Sequence, residues 1–274
     1  MNTQVKWINS SKRLWLMMFL MTVLIMMISG PVWASSDLTG RQLMLKVDER
    51  PDGDNRKTVS RMTLINKRGR ERVRLMVTYA KDYGKDSKSL FYFKKPADVK
   101  GTGFLTFDYD EPGKDDDRWL FLPALKKVRR ISGSSKNDYF MGSDFTYDDM
   151  GGRSVDEDNH MITGEEVIDG RQCWIVVSTP KEKDYLYSSV KRWIAKDSLV
   201  QIKGEYFDRK NDLIKTLTIT DLRQHQGFWT IYRMEMNNSQ ENHKTVISID
   251  EVQYDLGVKD SLFRVSTLEK GRIR

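Results

Sequence analysis

From Arg56 onward, apolar and polar residues alternate with a period of two, the pattern of strands that turn one face inward. In RERVRLMVTYA, Val73, Leu75, Val77 and Tyr79 share one face and Arg70, Arg72, Arg74 and Thr78 the other, which predicts one buried and one exposed side. The preceding stretch TVSRMTLI joins it through Asn66-Lys67-Arg68-Gly69, so the two read as a hairpin. Further strands are expected at 89–94, 103–109, 117–122, 126–131, 159–168, 171–178, 188–195, 199–207, 213–220, 228–236 and 244–252. Turn-forming residues fall between them, as at Asp169-Gly170 and Asp208-Arg209-Lys210-Asn211-Asp212. Short loops and the lack of alternating helices predict antiparallel pairing in one large curved sheet.

Three stretches depart from that period. Leu38 to Glu49 predicts an amphipathic helix with Asp37 as its N-cap and Leu38, Leu45 and Val47 among its apolar residues. SSKNDYFMGSDFTYDDMGG fits neither period and predicts a loop with a short helix near Phe145 to Met150. The C-terminal VKDSLFRVSTLEKG is expected to pack Leu262 and Phe263 back on the sheet. With no repeat and no low-complexity linker, residues 35–274 are expected to form one domain.

The N-terminus has a different character. Lys6, Lys12 and Arg13 precede an apolar run from Leu14 to Ile28, and Gly30-Pro31 leads into Val32-Trp33-Ala34. This predicts an export signal over residues 1–34 with cleavage after Ala34, and hence a periplasmic protein. The alternative is an inner-membrane anchor formed by residues 14–28, which is short for a spanning helix of about 20 residues. No cysteine follows the cleavage position, so a lipid anchor is not available there.

The whole chain carries 46 Lys and Arg against 39 Asp and Glu, and removal of residues 1–34 leaves 43 cations. That mild excess gives no concentrated basic stripe, and no nucleic-acid partner is expected. The single cysteine, Cys173, excludes an internal disulfide; within the strand RQCWIVV it reads as a small buried hydrophobe.

Catalytic signatures are missing. His160, His225 and His243 stand singly, without an H-E-x-x-H pair or a second ligand at metal spacing. No G-x-S-x-G elbow occurs, and KGTGFLTF lacks the third glycine of a nucleotide loop. In DYDEPGKDDD, a calcium loop starting at Asp108 would put Pro112 at position 5 and Trp119 at the bidentate position 12, so it fails as an EF-hand. A looser site on Asp115, Asp116 and Asp117 competes with a solvated turn, and the turn is the reading adopted. Neither an enzyme nor a bound cofactor or metal is expected.

What the sequence has instead is strands with two greasy faces. Phe91 and Phe93 alternate with Leu90 and Tyr92, and Leu105 and Phe107 with Phe104. Such a sheet is covered on one side and encloses a cavity on the other, or else surrounds a thick ordinary core. Candidate cavity-wall residues are Phe91, Phe93, Leu105, Phe107, Trp119, Phe121, Trp174, Trp193 and Trp229, of which alternation allows about half to face inward. Beside them, DDDRWLFLPALKKVRRI sets four cations after Pro123. Lys127 and Arg129 alternate with Lys126 and Arg130, and one pair is expected to meet anionic headgroups or an acidic partner at the rim; the alternative is a charged edge strand.

The run from Phe93 to Ser135, FKKPADVKGTGFLTFDYDEPGKDDDRWLFLPALKKVRRISGSS, followed by FMGSDFTYDDM, resembles the outer-membrane lipoprotein-sorting protein family, relatives of LolA and LolB. The resemblance extends from TGRQLMLKV through RWIAKDSLVQIKGEYFD to the C-terminal DSLF. It implies a mainly β fold: an incomplete antiparallel barrel of about eleven strands, covered on its concave side by a few helices and loops. It also implies a hydrophobic cavity for the acyl chains of a lipid or lipoprotein, transient membrane contact, and an RND- or MMPL-type permease as partner. Two other classes remain: an adaptor subunit of an envelope complex that holds no lipid, and an envelope hydrolase assembled from scattered residues.

Overall fold

The computed structural model describes residues 38–111 and 113–270, so the export signal, the alternative anchor at 14–28 and Asp37 lie outside the described residues. Among the described residues no helix is long and apolar enough to cross a membrane. The chain opens with α1 (Gly40–Asp48), capped by Thr39 in place of the expected Asp37; Thr39 accepts from the backbone of Gln42, whose side chain reaches back to the Thr39 N–H. Gly40 is required where it stands, because a Cβ there would lie 2.4 Å from the backbone oxygen of His160.

Thirteen strands follow: β1 (Asn55–Ile65), β2 (Glu71–Tyr83), β3 (Asp86–Lys95), β4 (Gly103–Asp108), β5 (Asp117–Leu122), β6 (Lys127–Ile131), β7 (Asp158–Ile168), β8 (Arg171–Pro180), β9 (Ser189–Ala195), β10 (Gln201–Phe207), β11 (Leu213–His225), β12 (Phe228–Asn238) and β13 (His243–Tyr254). Each expected strand is present, and the expected hairpin pairs Ile65 with Glu71 through Asn55 with Lys81. All pairings are antiparallel, in the order β6-β5-β4-β3-β2-β1-β13-β12-β11-β10-β9-β8-β7. The chain runs outward from β1 to β6, crosses over, and returns from β7 to β13 beside β1. The sheet is not closed into a barrel: β6 and β7 are its two edges.

The loop between β6 and β7, residues 132–157, lies against one face, here called inner. It contains short 3-10 turns at Gly133–Asn137, Phe140–Gly142 and Val155–Glu157; Tyr147 to Met150 make a turn where a short helix was expected. Phe140, fully buried, seats the loop with ring centroids 5.9 Å from Phe93 and 5.2 Å from Phe104. The outer face of β2 to β5 is covered by the C-terminal segment, the 3-10 turn Asp260–Leu262 and α2 (Val265–Lys270). Phe263 and Leu268 are buried there, as expected for Phe263, and Leu262 packs beside them.

The β2 alternation is corrected in one respect: both faces are used. Val77 and Tyr79 are buried under the C-terminal segment while Val73 is exposed. The side bearing Arg74 and Thr78 faces inward, together with Met76, which is 2 % exposed. Arg74 is tolerated inside because its Nη1 donates to the carbonyl of Met141 at 2.6 Å and its guanidinium lies 5.8 Å from the Phe93 ring centroid.

Candidate functional site: a cavity beneath the crossing loop

The loop is held to the inner face by its acids. Asp144 accepts from Thr245 Oγ1 and contacts His243 Nδ1, both at 2.7 Å. Asp148 accepts from Arg118 Nη2 at 2.8 Å and from the Tyr185 hydroxyl at 2.6 Å. Asp149 accepts from Lys215 Nζ at 2.9 Å and from the Tyr187 hydroxyl, with the Lys215 side chain fully buried. These contacts draw β5, β11, β13 and the 185–187 segment onto one loop, so the segment that fits neither period is the one the inner face is built around. Burial beside carboxylates raises the pKa of Tyr185 and Tyr187 well above the ordinary phenol value, so both hydroxyls are donors.

Elsewhere the loop and the sheet do not meet. A cavity of about 460 Å³ lies between Phe145, Met150 and Gly151 of the loop and the inner faces of β1, β2, β3, β12 and β13. Its apolar wall is Met76, Phe91, Trp229, Ile231, Met234, Ile247, Ile249 and Val252. Thr58, Ser60, Thr78 and Ser89 contribute hydroxyls. A second lobe of about 390 Å³ adjoins it, sharing Arg50, Phe145, Ile231 and Met234 and adding Leu217, Ile219, Met236 and Val200 from the other half of the sheet. Each lobe alone falls within the roughly 300–1,000 Å³ of small-molecule sites. Methionine is prominent in the wall, and its unbranched thioether adapts to chains of varied shape.

Besides the ion-paired Asp149, a second carboxyl is buried in the first lobe. Asp108 accepts from Thr106 Oγ1 at 3.0 Å. Burial, reinforced by nearby Asp116, pushes its pKa up to about 7. The loop backbone passes so close that a Cβ on Gly151 would sit 2.6 Å from Asp108 Oδ1.

The structure divides the nine expected wall residues. Phe91 and Trp229 line the first lobe. Phe93 and Trp174 are on the inner face but line neither lobe: Phe93 is fully covered by the loop, and Trp174 lies under Lys196, whose Nζ is 5.1 Å from its ring centroid. The other five point outward. Leu105 pairs across strands with Leu90 and Trp119, and Leu105, Phe107, Trp119 and Phe121 pack beneath the C-terminal segment as core. Trp193 pairs with Ile175 and Lys203, donates from Nε1 to Glu166 at 2.6 Å, and is flanked by the ammonium groups of Lys191 and Lys203. The expected rim cations lie on the edge strand β6 and its turn, and none of the four lines either lobe. Lys127 and Arg129 take the inner-face parity of Leu120 and Leu122; Arg130 turns outward to Asp117 at 2.5 Å, and Lys126 occupies a turn position with φ of 50°.

Most residues that line the two lobes, Met76, Met234, Met236, Ile247 and Ile249 among them, were not among the expected wall residues. The usable signal was pairing: any residue in register with Phe91 shares its face, and Thr78 does.

The acids of DYDEPGKDDD separate. Asp116 joins the buried guanidinium of Arg118 at 2.9 Å, Asp117 takes Arg130 and the Tyr109 hydroxyl, and Asp115 is exposed. Among the described residues no three His, Cys, Asp or Glu side chains are grouped to hold a metal ion. Cys173 is fully buried in β8, as expected of a small hydrophobe.

This arrangement has close counterparts. A family model described as "Uncharacterized protein" matches residues 85–270. No curated protein matches the chain. A DUF1329 family protein from Desulfovibrio piger superposes with a TM-score of 0.80 at 37 % identity, over 84 % of this chain and 97 % of that one. A structure described as an outer membrane lipoprotein-sorting protein domain, from Vibrio parahaemolyticus, gives 0.80 at 29 % identity, over 84 % and 98 %. A LolA superfamily protein from Nitrosomonas europaea shares the fold at 17 % identity, with a TM-score of 0.66 over 84 % and 99 %. The thirteen-stranded open sheet with its crossing loop is thus a LolA-like fold, and the chain belongs to the DUF1329 family.

Proposed function

We propose that this protein is a periplasmic carrier that shields the hydrocarbon of a lipid or lipid-modified molecule in the inner-face cavity during transfer, without covalent chemistry. The observation that carries this reading is the space left between loop and sheet: the side chains of β1, β2, β3, β12 and β13 surround about 460 Å³ without filling it, and a continuous group of Met, Ile, Phe and Trp side chains lies in the wall beside its hydroxyls and charges. A filled inner face would have suited an adaptor that holds no lipid. The likeness to a structure described as an outer membrane lipoprotein-sorting protein domain supports the same reading.

The energetics suit transfer. Each methylene removed from water contributes about 0.8 kcal/mol, so a dozen recover roughly 10 kcal/mol. A carrier has to match the membrane's hold on its cargo, and the hydroxyls and charged groups in the wall keep the cavity short of a dry hydrocarbon site. The loop rests on the sheet by side-chain contacts rather than by a strand ladder, its one isolated bridge being between its own Tyr139 and Thr146, which makes it the element to open for cargo. An export signal over residues 1–34 would deliver the chain to the periplasm, and an RND- or MMPL-type permease is the partner proposed for loading or release.

Purification of the mature protein followed by mass spectrometry of co-extracted lipid tests this directly. Recovery of lipid, or saturable uptake of a fluorescent fatty acid, is expected. Protein that emerges lipid-free and takes up no fatty acid leaves the adaptor reading in its place.

A further inference from the structure

Charge inside the cavity is unequally neutralised. Four arginines line the two lobes: Arg50, Arg56, Arg153 and Arg192. Two are matched, Arg56 by Asp52 at 2.8 Å and Arg153 by Glu157 and by Asp158, the latter at 2.7 Å. The other two, Arg50 and Arg192, have no carboxylate within salt-bridge distance among the described residues, and both line the second lobe. Among the described residues Arg192 donates only to the carbonyl of Val190, at 3.5 Å. Among the described residues Arg50 makes no side-chain hydrogen bond: its Nε is buried without a partner, and burial lowers its pKa. Arg50 also lines the first lobe, at the junction of the two. Both guanidiniums are half-buried without a direct ion pair, Asp52 acting on Arg50 only from a distance, and such a group gains charge-assisted hydrogen bonds when an anion arrives.

Resting on the carrier reading above, we infer that Arg50 and Arg192 form an internal anion site in the second lobe, so that the cargo is an amphiphile with a phosphate or carboxylate head whose hydrocarbon runs into the Met- and Ile-lined first lobe.

This places head recognition inside the cavity and away from the basic edge strand. It also separates an amphiphile from a free ion. Outside Arg50 the surface cleft is lined by Asp48, Asp52, Asp54, Asp82 and Asp255, and their field repels small anions approaching from that side. An amphiphile is drawn in by its chains and meets the guanidiniums only after its hydrocarbon is buried. Planar guanidinium groups suit the two oxygens of a phosphate or carboxylate, which they bind bidentately.

The test compares cis-parinaric acid with its uncharged methyl ester at pH 8, both fluorescent on burial, on the mature protein. The wild type is expected to bind the acid about tenfold or more tightly than the ester, as charge-assisted hydrogen bonds to a desolvated anion imply. Arg50→Gln with Arg192→Gln should abolish that preference, bringing the affinities for acid and ester to within about twofold of each other. Arg50→Lys with Arg192→Lys, which keeps the charge, should retain part of it and guards against misfolding as the cause. Inorganic phosphate in millimolar excess should displace little of the acid. Equal binding of acid and ester by the wild type, or an unaltered preference in the glutamine variant, overturns this inference and leaves the carrier reading standing. Tight calorimetric binding of phosphate alone reassigns the arginines to a free anion and also overturns it. Binding of neither probe removes both readings together.

Discussion

Lys215 Nζ lies 2.9 Å from Asp149 Oδ2, its side chain wholly inaccessible and the carboxylate 10 % exposed, so a strand of the sheet and the loop that crosses it are joined by a buried ion pair. The same ammonium donates to the carbonyl of Asp144 at 3.0 Å, and three tyrosine rings stand within 6 Å of it, Tyr187 nearest at 4.9 Å. Such a pair is stable only while both partners are present.

Removing one partner should therefore be expensive. Lys215→Met is expected to destabilise the protein by about 3–5 kcal/mol, because Asp149 would be left buried beside Tyr187 and the backbone N–H of Thr146 without its cation. Adding Asp149→Asn should restore a good part of the loss. Urea unfolding of both single variants and the double variant measures the coupling; additive losses would mean that the pair does not hold the loop.

Inner and outer apolar residues should behave oppositely. Phe121, buried under the C-terminal segment with Leu105 and Leu268, is ordinary core, and Phe121→Ala should cost about 3–5 kcal/mol. Met234 borders empty space in both lobes, so Met234→Trp should cost no more than about 1–3 kcal/mol in stability while abolishing fatty-acid uptake. Thermal unfolding and a fluorescent binding assay on the same samples separate the two effects.

Asp108 gives a pH dependence of known sign. Its folded pKa, about 7, lies above the unfolded value of 3.8, so the native state holds the proton more tightly than the unfolded chain. Its contribution is therefore fully present below about pH 4 and is lost as pH rises through about 7. Asp108→Asn, which cannot ionise, should flatten stability across that window and exceed the wild type at pH 8, by up to about 4 kcal/mol for a shift of this size. Denaturant unfolding at a series of pH values checks it, and parallel profiles for the two proteins would count against a buried, raised carboxyl.

The basic strand β6 forms one edge of the sheet, with Lys127, Arg129 and Arg130 exposed along it. Charges on an edge oppose strand-to-strand association. Lys127→Val with Arg129→Val is expected to promote dimers or larger species in sedimentation velocity, with uptake of the neutral ester probe by the remaining monomer unchanged. Loss of uptake without association would return these cations to a role at the cavity rim.

Strand positions were legible because alternation is local: a half-buried strand records its own pleat, and Asn55–Ile65 to His243–Tyr254 all appear where period two places them. The C-terminal return of Phe263 was legible for a similar reason, since an aromatic in a polar tail needs cover. The buried Cys173 was also apparent from residue type alone.

Which face was hollow was not recorded there. Leu105 and Phe91 look alike in sequence, yet Leu105 is sealed under α2 and Phe91 borders the cavity, because two different chain segments cover the two sides of one sheet. Nor does any local pattern reveal that Asp144, Asp148 and Asp149 staple the loop to strands β5, β11 and β13, or that Arg50 and Arg192 lack the carboxylates their neighbours found. Alternation assigns residues to two sides of a strand; only the packing of segments far apart in the chain decides what fills each side, and here one side was left unfilled.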